Sequence, residues 1–153
     1  MTLRSRQIVL RANALFLLIA ASWGLCTDLA GAFLGAGPVA KIVTAAPHAA
    51  IGLVEAHGLA IIVGCLLWKA PSAPIWHLTG ATVHVLLGTA NLVFWPMFVA
   101  ADMLPVGYVT TMLHGLFAAL QLSAFRAASA EQASVAEAEI NPLSRTNQTG
   151  LTA

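Results

Sequence analysis

The sequence predicts an all-α integral membrane protein, built as an up-and-down bundle of four membrane-spanning helices. Of its 153 residues, 59% are hydrophobic and only 8% are charged. A soluble domain carries about 25% charged residues, so this chain has too few to keep its surface in water. The apolar runs are continuous rather than alternating, which favours helices over the strands of a membrane barrel.

Four apolar runs are each long enough to cross a bilayer, whose core of about 30 Å needs about 20 helical residues. Prolines lie at the ends of these runs, and Pro96 is expected to end or kink the third of them. The short connections favour antiparallel neighbours. The transmembrane domain is predicted at 1–126, with spans at 12–34, 48–68, 75–99 and 106–125.

The distribution of charge sets the expected orientation. With the N-terminus inside, only Lys41 of the seven basic residues falls outside the cell, as the positive-inside rule requires. Both termini are therefore predicted to be cytoplasmic, in the cell (inner or plasma) membrane. Residues 127–153 are predicted to be a cytoplasmic tail, whose first half can extend the fourth helix and whose remainder is disordered. The formal net charge of +1 excludes nucleic acid as a partner.

Polar side chains inside the spans carry the functional prediction, because a charged group at mid-membrane costs about 2.5–3.5 kcal/mol. Five of them lie at a similar depth in the outer half of the bilayer, and together they come from all four spans. His84 lies deeper in the third span. We therefore expect one enclosed polar site, built from Asp28, Glu55, His57, Asn91 and His114.

Three chemistries suit histidines inside a membrane. They are haem b with imidazole ligands, a small metal site with histidines and carboxylates, and a proton or substrate pathway. Hydrogen bonding between helices is the simplest role for any single histidine. The sequence has no HExxH, CxxC, phosphate-binding glycine loop or nucleophile elbow, and so gives no support to hydrolase, nucleotide-binding or zinc-protease functions.

Two short stretches resemble the styrene oxide isomerase family. They are Gly24-Leu25-x-x-Asp28-Leu29-x-Gly31-x-Phe33 in the first span and Ala90-Asn91-x-x-Phe94-Trp95 in the third. Members of that family are small four-helix membrane proteins that bind haem b through a histidine of the second helix, at a subunit interface. They isomerise an epoxide to a carbonyl compound, with ferric iron as a Lewis acid on the epoxide oxygen.

The resemblance implies that the second span holds the haem. The family's ligating histidine is followed about two turns later by Asn-Gly. Here His57-Gly58 occupies the Asn-Gly place, and His48 is the nearest upstream histidine. His57 is expected to bind the iron, with His48 or His114 as alternatives. Gly58 and Asp28 are expected to lie against the cofactor.

The resemblance also implies which residues touch the substrate. Asn91 is expected to orient it near the iron. Trp95 stands where the family has a tyrosine, and an indole cannot act as a phenol. His114 is expected to be either a polar wall of the pocket or a second iron ligand.

Iron coordination separates the candidate functions. An open iron site fits an isomerase that acts on an apolar epoxide from the lipid bilayer, whereas bis-histidine ligation fits a b-type cytochrome. A cofactor-free transporter or accessory membrane subunit is the third possibility. In the second span, His48, Gly52 and Glu55 share one face, and His57 and Gly64 lie nearly opposite. This span is therefore expected to contact another subunit of a homo-oligomer.

Overall fold

The structure, a computed structural model, describes residues 1–140. Within that range the chain forms helices and no strand, so the predicted all-α class is confirmed. Three of the helices, α1, α3 and α6, are long and apolar enough to cross a membrane. In chain order the helices are α1 (Leu3–Leu34), α2 (Ala40–Ala45), α3 (Ala49–Lys69), α4 (Pro74–Val93), α5 (Trp95–Ala100) and α6 (Leu104–Ile140).

The third predicted span is divided into α4 and α5. Pro96 is the second residue of α5. It lacks a backbone N–H, and its ring crowds the carbonyl four residues earlier, so the helix cannot continue through this point. The chain bends at Phe94, whose φ and ψ are −98° and 25°. Helix α4 is not among the helices found apolar enough to cross a membrane, since His77 and His84 lower its mean hydropathy.

Both terminal helices are longer than the predicted spans. Helix α1 begins at Leu3 rather than at residue 12, because the Thr2 side chain caps it by accepting a hydrogen bond from the Ser5 amide. Helix α6 continues beyond residue 125 through the first half of the predicted tail. The remaining part of that prediction, 141–153, lies outside the described residues.

The helices pack as two pairs, α1 with α3 and α4 with α6, and α1 also contacts α4 and α6. Near the N-terminal end of α1, the pairs meet over an apolar core that includes Leu10, Leu17 and Leu67. Large apolar side chains also cover the outside of the bundle, among them Ile19, Leu59, Ile62, Leu86 and Met112. Such an outer surface suits lipid rather than water.

Candidate functional site

A cavity of about 560 Å³ lies among the helices, and all six helices contribute to its walls. Its lining is mostly apolar. The polar residues on it are Thr27, Asp28, His57, Asn91, Thr110 and His114. This composition is typical of a site for a small apolar ligand that a few polar groups orient.

Two glycines allow the short helices α2 and α5 to close in on this cavity. A Cβ at Gly31 of α1 would lie 3.1 Å from the Ala40 amide nitrogen of α2. A Cβ at Gly107 of α6 would lie 2.8 Å from Cγ of Phe98 on α5. Ile42 of α2 and Phe98 then form part of the cavity wall.

Asp28 and His57 are hydrogen-bonded to each other on this wall. His57 Nδ1 lies 2.5 Å from Asp28 Oδ2, and the Asp28 side chain is only 1% exposed. An ionised carboxylate can only accept, so His57 Nδ1–H donates to it and Nε2 keeps its lone pair. Carboxylates commonly orient metal-binding histidines in this way.

Gly24 determines how close the His57 ring comes to α1. A Cβ at Gly24 would overlap the ring and would lie almost equally far from Nε2, Cδ2 and Cε1. The imidazole therefore lies with its face on Gly24, and the Nε2 lone pair, which is in the ring plane, points elsewhere. Any larger residue at this position would displace the ring.

A second histidine, His114, reaches the cavity from α6. Its Nδ1 lies 2.9 Å from Nδ1 of His84 on α4, and His84 Nε2 is hydrogen-bonded to Asn13 Oδ1 on α1. Because the amide oxygen accepts, His84 Nε2 carries the hydrogen and its Nδ1 accepts from His114 Nδ1–H. His114 Nε2 is then left with a lone pair, and the residue lines the cavity.

Asn91 is fixed by two threonines of α6. Its Nδ2 donates to Thr110 Oγ1 at 3.1 Å and to Thr111 Oγ1 at 3.2 Å. Both amide hydrogens are used in these bonds, so the group left for a ligand is the oxygen Oδ1.

Apart from the indole N–H of Trp23, which also lines the cavity, the polar atoms that remain for a ligand are lone pairs. They belong to His57 Nε2, His114 Nε2 and Asn91 Oδ1. The cavity's hydroxyl donors are used within their own helices, since Thr27 donates to the Gly24 carbonyl and Thr110 to the Val106 carbonyl. Such a cavity favours an electron-poor partner, either a metal ion or a hydrogen-bond donor.

The structure thus brings four predicted site residues to one cavity: Asp28, His57, Asn91 and His114. The other predicted site residues lie elsewhere. His48 is exposed at the start of α3, and Gly58 has no atom within 4 Å of where its Cβ would be. Trp95 packs against Phe98 and Tyr108, with ring centroids 5.6 and 4.8 Å away.

Glu55 also lies away from the cavity, on the exposed side of α3. The two faces predicted for this helix are thus distinct. Glu55 lies on the exposed face, and His57 and Gly64 lie on the face towards α1, where Gly64 packs against Leu18 and Ala14.

Sequence reasoning missed Asn13 as part of the site. It lies one residue inside the predicted start of the first span, where a polar residue is expected at the membrane surface. In the structure α1 begins at Leu3, which places Asn13 in the interior with no exposed surface. One signal in the sequence could have identified it. Asn13 follows Arg6 by seven residues, and His84 follows His77 by the same number.

Among residues 1–140, no three His, Cys, Asp or Glu side chains converge as the ligand set of a metal ion. Comparison with family models, with curated proteins and with solved structures gave no match to this chain.

Proposed function

We propose that this chain is a membrane haem b protein whose cavity isomerises an apolar epoxide to a carbonyl compound, the activity implied by its resemblance to styrene oxide isomerases. The observation that carries the proposal is the Asp28–His57 pair on the wall of an apolar cavity. A carboxylate-oriented imidazole with a vacant Nε2 is the donor that a haem iron needs from the protein.

The donor chemistry of the cavity fits a haem. The porphyrin supplies four nitrogens of its own, so the chain needs to provide only one or two axial ligands. His57 provides the first, with its ring held by Asp28 at one edge and by Gly24 on one face. The surrounding walls are apolar, as a buried porphyrin requires. His48, the alternative ligand from the sequence, lies on the exposed end of α3, which favours His57.

Apart from the Trp23 indole N–H, the side-chain polar groups left free on this cavity present lone pairs, so an epoxide oxygen needs an electron-poor partner that they do not supply. When bound, the ferric haem supplies the Lewis acid that polarises that oxygen. Asn91 Oδ1 and His114 Nε2 attract the positive charge that builds on carbon as the C–O bond weakens. The apolar walls keep water from that carbon and so favour rearrangement over hydration.

A b-type cytochrome is the second candidate, because His114 also carries an unused Nε2 on the same cavity. With His57 and His114 both bound to iron, no position would remain for a substrate, and the protein would carry electrons instead. A cofactor-free transporter or accessory subunit is the third candidate, and it would use the same cavity without a haem.

We also propose that α4 is a fourth membrane span and that both termini are cytoplasmic, in the cell membrane. Helix α4 packs along α6, buries His77 and His84, and exposes apolar residues such as Leu86 on its other side. Arg11 lies over the Trp68 ring, 5.6 Å from its centroid. A basic residue beside an interfacial tryptophan is typical of the cytoplasmic membrane surface.

Glu55 supports the proposal of a homo-oligomer. It is exposed on α3, six residues after the start of the helix at Ala49 and thus about 9 Å along it. A charged side chain at that depth is costly in lipid, and a second copy of this chain can cover it. A cysteine placed at Leu59, one turn further along the same exposed face, is expected to cross-link two copies in membranes.

The visible spectrum of the protein, purified in mild detergent after haem-replete expression, tests the function. A Soret band with one open axial position, together with conversion of an aryl epoxide to an aldehyde, supports the isomerase. A six-coordinate bis-histidine spectrum without turnover supports the cytochrome. Absence of any Soret band contradicts both and leaves the cofactor-free alternative.

A further inference from the structure

Buried polar side chains recur along the seam where α1, α4 and α6 meet. Each of the three helices contributes two buried polar residues to this seam. The two residues on a helix are seven positions apart, which is about 10.5 Å along it. They therefore form two tiers, one near the Arg6 end of the bundle and one near the cavity. The first tier is Arg6, His77 and Gln121, and the second is Asn13, His84 and His114, all at most 8% exposed.

The first tier reaches the surface of the protein. His77 Nδ1 lies 2.6 Å from Gln121 Oε1 and therefore donates to it, while His77 Nε2 accepts from the Ser72 hydroxyl at 2.8 Å. Arg6 forms an ion pair with Glu131, whose side chain is 58% exposed. Water thus has access to one end of the seam.

Three buried N–H donors on this seam have no acceptor among the described residues. They are Arg6 Nε, Asn13 Nδ2 and Gln121 Nε2, and no other side-chain nitrogen or oxygen of the described chain is buried in this way. An unmet buried donor costs about 1–3 kcal/mol. All three are donors, so each needs a small acceptor, and water is the acceptor that folded proteins use for this purpose.

Helix α1 also has buried residues in apolar surroundings, which can be compared with the polar seam. Leu10 and Leu17 of α1 pack with Leu67 of α3 in a core made of apolar side chains. Leu10 and Leu67 have no exposed surface, as is also true of Asn13 and His77. Over the same part of its length, helix α1 therefore buries both an apolar core and a row of polar side chains that faces α4 and α6.

We propose that a file of internal water molecules occupies the polar seam, from the surface at Arg6 and Glu131 to Asn13 and His84. These waters accept the three hydrogen bonds that the protein leaves unmade. The rings of Phe16 and Phe117 stack on His84, with centroids 5.8 and 5.2 Å away, and close the file before the cavity.

The hydrogen bond between His84 and His114 continues the path to the cavity wall. The seam would then connect the cavity to the surface through hydrogen bonds while keeping bulk water out of the cavity. This inference concerns the α1–α4–α6 seam alone, and it holds whether or not the cavity binds haem.

Hydroxyl-radical footprinting of the full chain in mild detergent tests the proposal, because X-rays generate radicals from internal water where it is bound. Modification is read by mass spectrometry and normalised to the rate in the denatured chain. We expect His77 and His84 to be modified several-fold faster than Leu10 and Leu67, which are equally buried. Modification of both histidines at no more than the rate of these leucines would overturn the proposal.

Variants locate the water along the seam. Gln121→Leu replaces one of the three donors with an apolar group, and the modification of His84 is expected to fall to the level of Leu67. The matched control is Ser123→Ala on the same helix, whose exposed hydroxyl donates to the Ala119 carbonyl, and it should leave His84 unchanged. Asn13→Leu gives an independent measurement if Gln121→Leu does not fold. His84 modification that persists in the folded variants would contradict a continuous file.

Discussion

Asp28 on α1 and His57 on α3 lie 29 residues apart in the sequence, and their side chains meet at 2.5 Å on the wall of the cavity. The pair exists because α1 and α3 pack along each other and because Gly24 leaves room for the imidazole. Its effect is to fix one tautomer of His57 and to leave Nε2 for a ligand.

Gly24→Ala tests the contact that places this imidazole. The added methyl group would overlap the His57 ring, so the ring must rotate away and lose its bond to Asp28. We expect haem binding to weaken by at least about tenfold, the lower limit for disturbing the partner of a metal ligand, as measured by Soret titration. Helix content should be kept, since alanine favours helices more than glycine does.

Gly58→Ala is the matched control for this change. It lies on the same helix as His57 and has no atom within 4 Å of the added carbon. Haem affinity should stay at the wild-type value in this variant. Equal affinity in Gly24→Ala and Gly58→Ala would mean that the ring position of His57 is irrelevant to the cofactor.

Asp28→Asn tests the electrostatic part of the pair. The amide keeps an oxygen acceptor but loses the negative charge that makes His57 a stronger ligand. Haem affinity is expected to fall about 10–100-fold, as for other partners of metal ligands. Asp102→Asn is the control, because Asp102 is exposed and its φ of 58° suits asparagine. An unchanged affinity in Asp28→Asn would contradict this role.

His84→Phe tests the hydrogen-bonded chain behind His114. The new ring can still pack against both Phe16 and Phe117, but it leaves Asn13 Oδ1 without its donor and His114 Nδ1 without its partner. Each buried unpaired group costs about 1–3 kcal/mol, so the thermal midpoint in detergent should fall clearly. Thr79→Val on the same helix removes only an exposed hydroxyl and should change it little. A similar midpoint in both variants would speak against the chain.

Asn91→Leu tests the substrate side of the cavity. The haem spectrum should be kept, because Asn91 contacts Thr110 and Thr111 rather than either histidine. Epoxide isomerisation should slow by about tenfold or more, since an oriented polar group at the reacting carbon is lost. Trp95→Phe, outside the cavity, should leave the rate unchanged. A slower rate in Trp95→Phe together with an unchanged rate in Asn91→Leu would assign the substrate contact to Trp95.

The sequence predicted the main helices because an apolar run has only one way to satisfy its backbone in a membrane. It did not predict α2, whose six residues between prolines carry too little periodicity to identify a helix. The early start of α1 was also missed. Arg6 indicated a solvated segment, but in the structure it is buried through its pair with Glu131, a contact between distant residues that no local pattern contains.

The site was predicted in part. Asp28, Asn91 and His114 lie at a similar depth in their spans, and this common depth indicated that they could meet in one site. The second span carried polar residues on two faces, so its phase alone did not decide between His48 and His57. In the structure, the packing of α3 on Gly24 turns His57 towards the cavity and leaves His48 exposed, and the proposal of His57 as the ligand rests on this contact.

The visible spectra of the wild-type protein, His57→Ala and His48→Ala, each expressed with excess haem, test the central claim most directly. We predict a Soret band in the wild type and in His48→Ala, and loss of most of that band in His57→Ala at equal protein concentration. A full band in His57→Ala, or no band in the wild type, would contradict the assignment of His57 as the haem ligand.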